Sequence, residues 1–434
     1  MAKRVAATTI GCKVNVYDTQ VLMAEFERQG HIIADFRDEA DIYIINTCCV
    51  TNLADKKSRQ MVGRARQRSP QAIVVAMGCA GQANPLKYRD LGVDIVVGTT
   101  NRGEILKHIA NFKGEPIVAI SEKILSEKSY EDAATTAAFG RTRAYLKIQE
   151  GCNNFCTYCI IPHVRGPSRS RDFEDSLAQA EAFAAAGYKE IVVAGIHVAS
   201  YGKDLKEWDL VDLLAEIAKI PEIARLRLSS IEPMAINDKF CDFMAQTPKF
   251  CEHLHLSLQS GSDSVLKNMR RKYDTKLYEQ AVGQIRKISP QANITTDLIA
   301  GFPGETEDDH RQTLEFVRSL KLTKLHVFPF AAKAGTIAAE LQNQLPKAVK
   351  TRRVKELLAL SAELEKEYYA KFLWQIMPVL VEKKTANGRY SGKTTNYIPV
   401  EFETEGDDLL NEIVGIKMSN LLESKLIIVG KLTQ

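Results

Sequence analysis

The chain is predicted to be an α/β protein in three parts: a parallel α/β domain, a partial (β/α)6 barrel and a small all-β domain. Three observations carry the prediction. Apolar strand-like runs alternate with helix-patterned segments up to about residue 135, and the alternation then resumes for six further units. The C-terminal stretch switches instead to short strands broken by glycine-containing turns. A length of 434 residues fits three such units. Hydrophobic residues at 45% and charged residues at 26% exclude a disordered, collagenous or fibrous chain.

In chain order, the first apolar runs are Arg4–Ile10, Asp41–Ile45, Ala72–Met77 and Asp94–Val97, with helical patterns over Asp18–Gly30 and Ala54–Arg68 between them. Strands alternating with helices imply parallel βαβ units. Ser121–Gly140 has few branched apolar residues and reads as a linker. Six strand candidates follow: Tyr145–Gln149, Glu190–Ala194, Arg225–Ser229, His253–Leu258, Ile294–Ala300 and Lys324–Phe328. The clearest helix among them is Asp172–Gly187, with Asp at the N-cap and Gly past the end. A helix from Lys347 to Leu373 leads to short strands at Pro378–Glu382, Ile398–Glu403, Ile413–Met418 and Leu426–Val429, with turns at Asn387-Gly388 and Glu405-Gly406. The expected domains are therefore 1–135, 138–370 and 371–434, the last a small β barrel or sandwich.

No run approaches the roughly 18 uninterrupted apolar residues of a membrane helix, and Met1-Ala2-Lys3-Arg4 enters a strand without a signal-peptide core. A cytosolic chain with no membrane partner is expected. A net charge of +4 neither demands nor excludes nucleic acid.

Nine cysteines in a cytosolic chain suggest metal or redox chemistry rather than disulfides. Cys241 and Cys251 lack partner spacing and read as small buried hydrophobes. Cys12, Cys48 and Cys79 each end a strand of the first domain. In an open parallel sheet, ligands bind beyond the carboxyl ends of the strands, so these three thiols should meet at one edge. Cys152, Cys156 and Cys159 form a C-x3-C-x2-C triplet directly after the first barrel strand. Three thiolates on a 4Fe–4S cluster leave one iron open to a substrate. Zinc is the alternative metal, but zinc sites usually pair C-x2-C with a second distant pair.

The triplet, its Tyr158 and its place after strand one resemble the radical S-adenosylmethionine (SAM) superfamily. Within it, the chain is similar over nearly its full length to the methylthiotransferases. The matching segments are Gly11–Thr19, Asn46–Thr51, Gly78-Cys79, Ile148–Cys152, Leu256–Ser262 and Asp297–Thr306, and Tyr390–Val400 resembles TRAM, a small RNA-binding β domain. The resemblance implies two 4Fe–4S clusters. Cys12, Cys48 and Cys79 would hold an auxiliary one that carries the sulfur of the new thioether. Cys152, Cys156 and Cys159 would hold the one whose open iron binds SAM and, on reduction, yields a 5′-deoxyadenosyl radical. Two SAM per turnover, an electron donor of flavodoxin or ferredoxin type, a sulfur donor and a tRNA anticodon stem-loop are implied as cofactor and partners.

Lys13-Val14-Asn15 looks like the enzymes that modify C2 of N6-threonylcarbamoyladenosine at tRNA position 37. Those acting on isopentenyladenosine usually carry Gln-Met-Asn there, and those acting on a ribosomal-protein aspartate carry Pro-Lys-Asn. Both remain as alternatives. Phe330–Thr336 departs from the usual Tyr-Ser-x-Arg-x-Gly-Thr, with Lys333 losing arginine's planar fork. Consecutive side chains of a strand point to opposite faces, so Cys48 and Cys49 are not both expected to face one cluster; periodicity cannot choose between them, and it is the family pattern Asn-Thr-Cys that selects Cys48.

Polar residues at strand ends are the expected SAM contacts, because barrel chemistry sits there. They are Gly195 and His197, Ser229 and Glu232, Gln259 and Gly301, together with Tyr158. Basic runs at Lys56–Arg68, Arg165–Arg171 and Lys347–Lys355 are expected to bind RNA phosphates. The β domain has eight basic against eight acidic residues from Lys371 onward, so a local face is expected there: Arg389, Tyr390, Lys393 and Tyr397. A non-catalytic iron–sulfur RNA-binding protein is the rival of another class. The triplet argues against it, because purely structural clusters normally fill all four irons.

Overall fold

The computed structural model describes residues 2–132, 134–135, 142–385, 387–404 and 408–433. The first domain is a six-stranded parallel sheet in the order Ile32–Ala34, Arg4–Thr9, Ile42–Thr47, Ile73–Gly78, Ile95–Val97, Ile117–Ala119. Its central strand Ile42–Thr47 is buried throughout, as a sheet covered on both faces requires. The outermost strands, Ile32–Ala34 and Ile117–Ala119, went unpredicted, being only three residues long. Helix Lys13–Arg28 begins directly after Cys12, earlier than its apolar pattern indicates. Helix Asn52–Arg68 is capped by Thr51, whose side chain accepts from the Ala54 amide.

All six predicted barrel strands form: Arg143–Glu150, Glu190–Gly195, Arg225–Leu228, His253–Leu256, Asn293–Ala300 and Lys324–Pro329. They divide into two sheets joined by an isolated parallel bridge between Leu226 and Phe250. The first and last strands do not pair, so the barrel is open on one side. Helix Lys13–Arg28 of the first domain packs against the first barrel strand, and its Tyr17 joins the barrel's main core.

The segment read as a linker is better described as a strap. Ile124 is buried, the Tyr130 hydroxyl donates to the Lys147 carbonyl at 3.0 Å, and Glu131 and Asp132 pair with Arg102 and Arg171. Residues 133 and 136–140 of that expectation lie outside the described residues.

Helix Lys347–Ala370 runs into a closed five-stranded barrel: Ile376–Lys384, Tyr390–Thr394, Pro399–Glu403, Ile427–Leu432 and Ile413–Leu422. Gly388 makes the predicted turn with φ +78°, and the Glu405-Gly406 turn lies outside the described residues. This small barrel closes the floor of the larger one. Arg225 donates to the Lys393 and Pro378 carbonyls, Arg227 to the Thr395 carbonyl and Asn293 to the Asn396 carbonyl, at 2.7–3.1 Å. Among the described residues, no helix is long and apolar enough to cross a membrane.

Candidate active site

Cys12, Cys48 and Cys79 leave the ends of three neighbouring strands of the first sheet and meet at one edge. Gly11, at φ +119°, lies against Cys48: a Cβ there would sit 3.0 Å from Cys48 Cβ and 3.3 Å from its Sγ. Gly78, at φ +94°, has no room for a side chain beside Asn46 and Thr47. Asn15 ties the loop down, donating to the Ile10 and Thr47 carbonyls at 2.9 and 3.1 Å. Cys48 and Cys49 diverge as an extended chain requires. Cys49 belongs to the apolar cluster that includes Val62, Ala80 and Val164, with its Sγ donating to the Cys79 carbonyl at 3.5 Å, whereas Cys48 lies against Gly11. Burial, reinforced by Cys79, pushes the Cys48 thiol up to about 12. Burial raises Cys79 too, while Arg165 opposes the shift.

The central triplet occupies the loop after strand Arg143–Glu150. Gly151, at φ +71°, lets the chain pass the Pro167 carbonyl, where a Cβ would come within 1.8 Å. The Cys152 amide donates to the Gly166 carbonyl at 3.0 Å, and the Cys159 amide to the Cys156 carbonyl at 2.9 Å. Burial pushes Cys152 up to about 11 and Cys159 to about 12.

A buried polar network stands beside it. Glu232 accepts from Asn154 at 3.1 and 3.2 Å, meets His197 Nε2 at 2.7 Å and accepts from Arg271 at 2.6 Å. Burial alone would raise this carboxyl, but the His197 and Arg271 contacts outweigh it and hold Glu232 at about 2. Arg271 places its other nitrogen 3.2 Å from Cys156 Sγ.

The two trios are joined through a second arginine. Arg165, from the helix after the triplet, donates to Cys79 Sγ at 3.1 Å, to Glu150 at 2.6 Å and to Asn15 at 2.5 Å. Glu150 also meets Lys147 at 2.5 Å, and Asp18 meets Lys147 and Arg102 at 2.8 and 2.6 Å. Each thiol trio thus has one buried arginine with one arm on a sulfur and another on a carboxylate.

Among the predicted cofactor contacts, His197 and Glu232 meet at the triplet, and Tyr158 packs with Phe302 and Phe330. The Ser229 hydroxyl is buried and has no hydrogen-bond partner among the described residues. Gln259 adopts φ +73°, a strained conformation of the kind that clusters at functional sites. The space beside Gly195 is filled by Gln149 and Val198, and that beside Gly301 by Lys350. Lys333 reaches back to the first domain, donating to Asn52 at 2.8 Å.

Sequence reasoning missed Asn154 and Arg271 and misread Arg165. The Arg165–Arg171 run does not face RNA: Arg165, Arg169 and Arg171 are 1–3% exposed and serve internal hydrogen bonds and ion pairs. In the third run, Arg353 is buried against Glu305 and Glu307, and Arg352 pairs with Glu307 and Glu356. In the first run Lys56, Lys57 and Arg64 stay exposed, but Arg66 is tied to Asp94 and Arg68 to the Phe36 carbonyl. The expected RNA face of the small barrel is also largely internal. Tyr390 is 2% exposed, and Tyr397 stacks on His253 at 4.5 Å in the floor contact.

A cubane cluster places each thiolate on a separate iron. Two open thiol trios, each with an arginine N–H aimed at a sulfur, fit such anionic clusters. The six-stranded open barrel with this triplet at its mouth defines a radical-SAM enzyme.

The comparisons agree. Residues 146–317 match the radical SAM superfamily, and residues 4–98 match an uncharacterized protein family, UPF0004. The chain is 42% identical to threonylcarbamoyladenosine tRNA methylthiotransferase MtaB of Bacillus subtilis, over 95% of this chain and 93% of that one. It is 35% identical to tRNA-2-methylthio-N(6)-dimethylallyladenosine synthase of Desulfitobacterium hafniense, over 93% and 92%. In fold it is similar to the radical SAM methyltransferase TsrM of Kitasatospora setae, with TM-score 0.57 and 14% identity over 78% and 77% of the two chains. The chain belongs to the radical-SAM tRNA methylthiotransferases, a family that uses 4Fe–4S clusters and SAM.

Proposed function

We propose that this enzyme places a methylthio group on C2 of N6-threonylcarbamoyladenosine at position 37 of tRNA. The observation that carries the reading is the pair of thiol trios, linked through Arg165 and Glu150 and placed at facing strand ends of two domains. The relatives named for this substrate support the choice of nucleoside, and Lys13-Val14-Asn15 agrees with it.

Cys152, Cys156 and Cys159 would hold the cluster that binds SAM, and Cys12, Cys48 and Cys79 the auxiliary cluster. Bound there, these groups supply SAM cleavage, the sulfur and, from a second SAM, the methyl group. The protein's part is to hold and shield. Arg271 and Arg165 offer N–H donors to ligand sulfurs and offset the clusters' negative charge. Ionised Glu232, braced by His197 and Asn154, offers an anion for an ammonium group, and the unpartnered Ser229 hydroxyl offers a hydrogen bond. Residues 1–135, 138–370 and 371–434 serve as the auxiliary-cluster, radical and RNA-binding domains of a cytosolic enzyme. The anticodon stem-loop would meet Lys56, Lys57 and Arg64, with an electron donor and a sulfur donor as further partners.

Mass spectrometry of tRNA nucleosides from a deletion strain tests the reading. Loss of 2-methylthio-N6-threonylcarbamoyladenosine, with its unmethylthiolated precursor accumulating, is expected. Loss of the isopentenyl-type product instead would overturn the substrate.

A further inference from the structure

The loop after the fourth barrel strand carries four cations in six residues, Lys267-Asn268-Met269-Arg270-Arg271-Lys272. It ends the short helix Asp263–Asn268 and is bonded to the loop of the central triplet. The Thr157 amide donates to the Met269 carbonyl at 3.1 Å, and the Thr157 hydroxyl to the Asn268 carbonyl at 3.0 Å. Arg271 turns inward, 3.2 Å from Cys156 Sγ and 2.6 Å from Glu232. Lys267, Arg270 and Lys272 are exposed, and among the described residues none of them makes a side-chain hydrogen bond or ion pair. The carboxylates that flank the run are turned to backbone instead: Asp263 accepts from the Thr275 amide and Asp274 from the Leu277 amide, both at 2.8 Å.

Two side chains here stand where the backbone favours glycine. Arg270 adopts φ +56° just past the helix, the position at which helices commonly end in glycine. Phe155, directly before Cys156, adopts φ +47° and is 43% exposed, with its ring edge-on to the exposed His163 at 5.8 Å. Side chains held at such backbone positions cluster at functional sites. An exposed aromatic within two residues of a bonded run of free cations has the composition of a protein interface with an acidic partner.

We propose that Lys267, Arg270 and Lys272, together with Phe155, form the docking face for an acidic one-electron donor protein of flavodoxin type. This rests on the assignment of the central triplet to the SAM-binding cluster made above. Electron transfer falls steeply with distance, so a donor to that cluster has to seat against the residues that enclose it. The basic run meets this need, bonded to the triplet's loop on one side and open to solvent on the other. In the step itself the donor loses one electron and the cluster gains it; no bond forms or breaks and no proton moves. The stem-loop has to reach the auxiliary trio of the first domain, whereas this run is bonded to the central one.

The test uses the reconstituted full-length enzyme with purified flavodoxin as the probe. Calorimetry reads binding of the oxidised probe, and stopped-flow absorbance reads cluster reduction by the reduced one, each at low and high salt. Exchanging Lys267, Arg270 and Lys272 together for Gln should weaken binding and slow reduction by roughly tenfold to a hundredfold at low salt, with the gap closing at high salt. The charge-keeping set Lys267→Arg, Arg270→Lys and Lys272→Arg should stay within about twofold of wild type. Formation of 5′-deoxyadenosine driven by dithionite, a small reductant that needs no docking face, should be the same in all three proteins. Equal flavodoxin binding by wild type and the Gln variant would overturn the docking face. Weakened stem-loop binding with flavodoxin binding intact would assign the run to RNA and overturn it too. A wild type that cleaves SAM with dithionite but neither binds flavodoxin nor is reduced by it would overturn the docking face alone. One that fails to cleave SAM even with dithionite would overturn the cluster assignment and the docking face with it.

Discussion

Replacing Arg165 with Met keeps an unbranched apolar stem and removes the guanidinium and its charge from the junction of the two thiol trios. The guanidinium donates to Glu150 at 2.6 Å, Asn15 at 2.5 Å and Cys79 Sγ at 3.1 Å, at 1% side-chain exposure. Breaking a buried ion pair from one side costs about 3–5 kcal/mol. Glu150 keeps Lys147 at 2.5 Å and Arg102 at 3.6 Å, so the low end applies, about 3 kcal/mol. Burial by itself would raise the Glu150 carboxyl, but Arg165, Lys147 and Arg102 hold it well below its usual range. A depressed carboxyl contributes stability above its unfolded pKa of about 4.3 and loses it as the pH falls through the folded value. The measurement therefore belongs at neutral pH. Native-state hydrogen exchange in Cys79–Ala83 and the first turn of helix Lys13–Arg28 should speed up roughly a hundredfold, at about 1.4 kcal/mol per decade. Iron at the N-terminal site should fall with it. Exchange within about threefold of wild type, with full iron at that site, would show that Arg165 does not hold the junction together.

Cys49→Ala should keep full iron and sulfide at the N-terminal site and lose about 1 kcal/mol of packing, whereas Cys48→Ala should lose that cluster; Mössbauer spectra of the two variants decide it. Glu232→Gln should weaken SAM binding and flatten the acid dependence of stability. With a folded pKa of about 2 against an unfolded one of about 4.3, the carboxylate contributes roughly 3 kcal/mol above pH 5 that is lost as the pH falls toward 2, and urea titrations across that range check it. Exchanging Lys56, Lys57 and Arg64 for Gln should weaken anticodon stem-loop binding and shrink the salt slope by about two to three units, with little effect on stability. Tyr390→Ala should cost about 3–5 kcal/mol of stability in the small barrel, read by urea unfolding, because its ring is core.

What was legible in the sequence was whatever periodicity and spacing record. The six barrel strands and the thiol-ended strands of the first sheet were found because apolar runs of four to eight residues between turn signals are strong patterns. Three-residue edge strands such as Ile32–Ala34 are too short to show a period. Tyr390–Thr394 was not among the strands read from the sequence, because Ser391-Gly392-Lys393 lacks strand composition, yet Gly392 is what lets that strand pass the Leu380 carbonyl. The arginines failed for another reason. A buried arginine and a solvated one look alike in a sequence, and the carboxylates that neutralise Arg165 and Arg171 stand 15 or more residues away or in another domain. Tyr397 was expected to meet RNA, and only the docking of the small barrel shows it committed to His253.

The division of labour between the trios is tested most directly with anaerobically reconstituted enzyme and a threonylcarbamoyl-modified anticodon stem-loop, assayed by mass spectrometry for 5′-deoxyadenosine and methylthiolated nucleoside together. Wild type should make both. Changing Cys12, Cys48 and Cys79 to Ala should leave 5′-deoxyadenosine and eliminate the methylthio product, and changing Cys152, Cys156 and Cys159 should eliminate both. Methylthiolated nucleoside from either triple variant would show that the two trios do not divide the chemistry in this way.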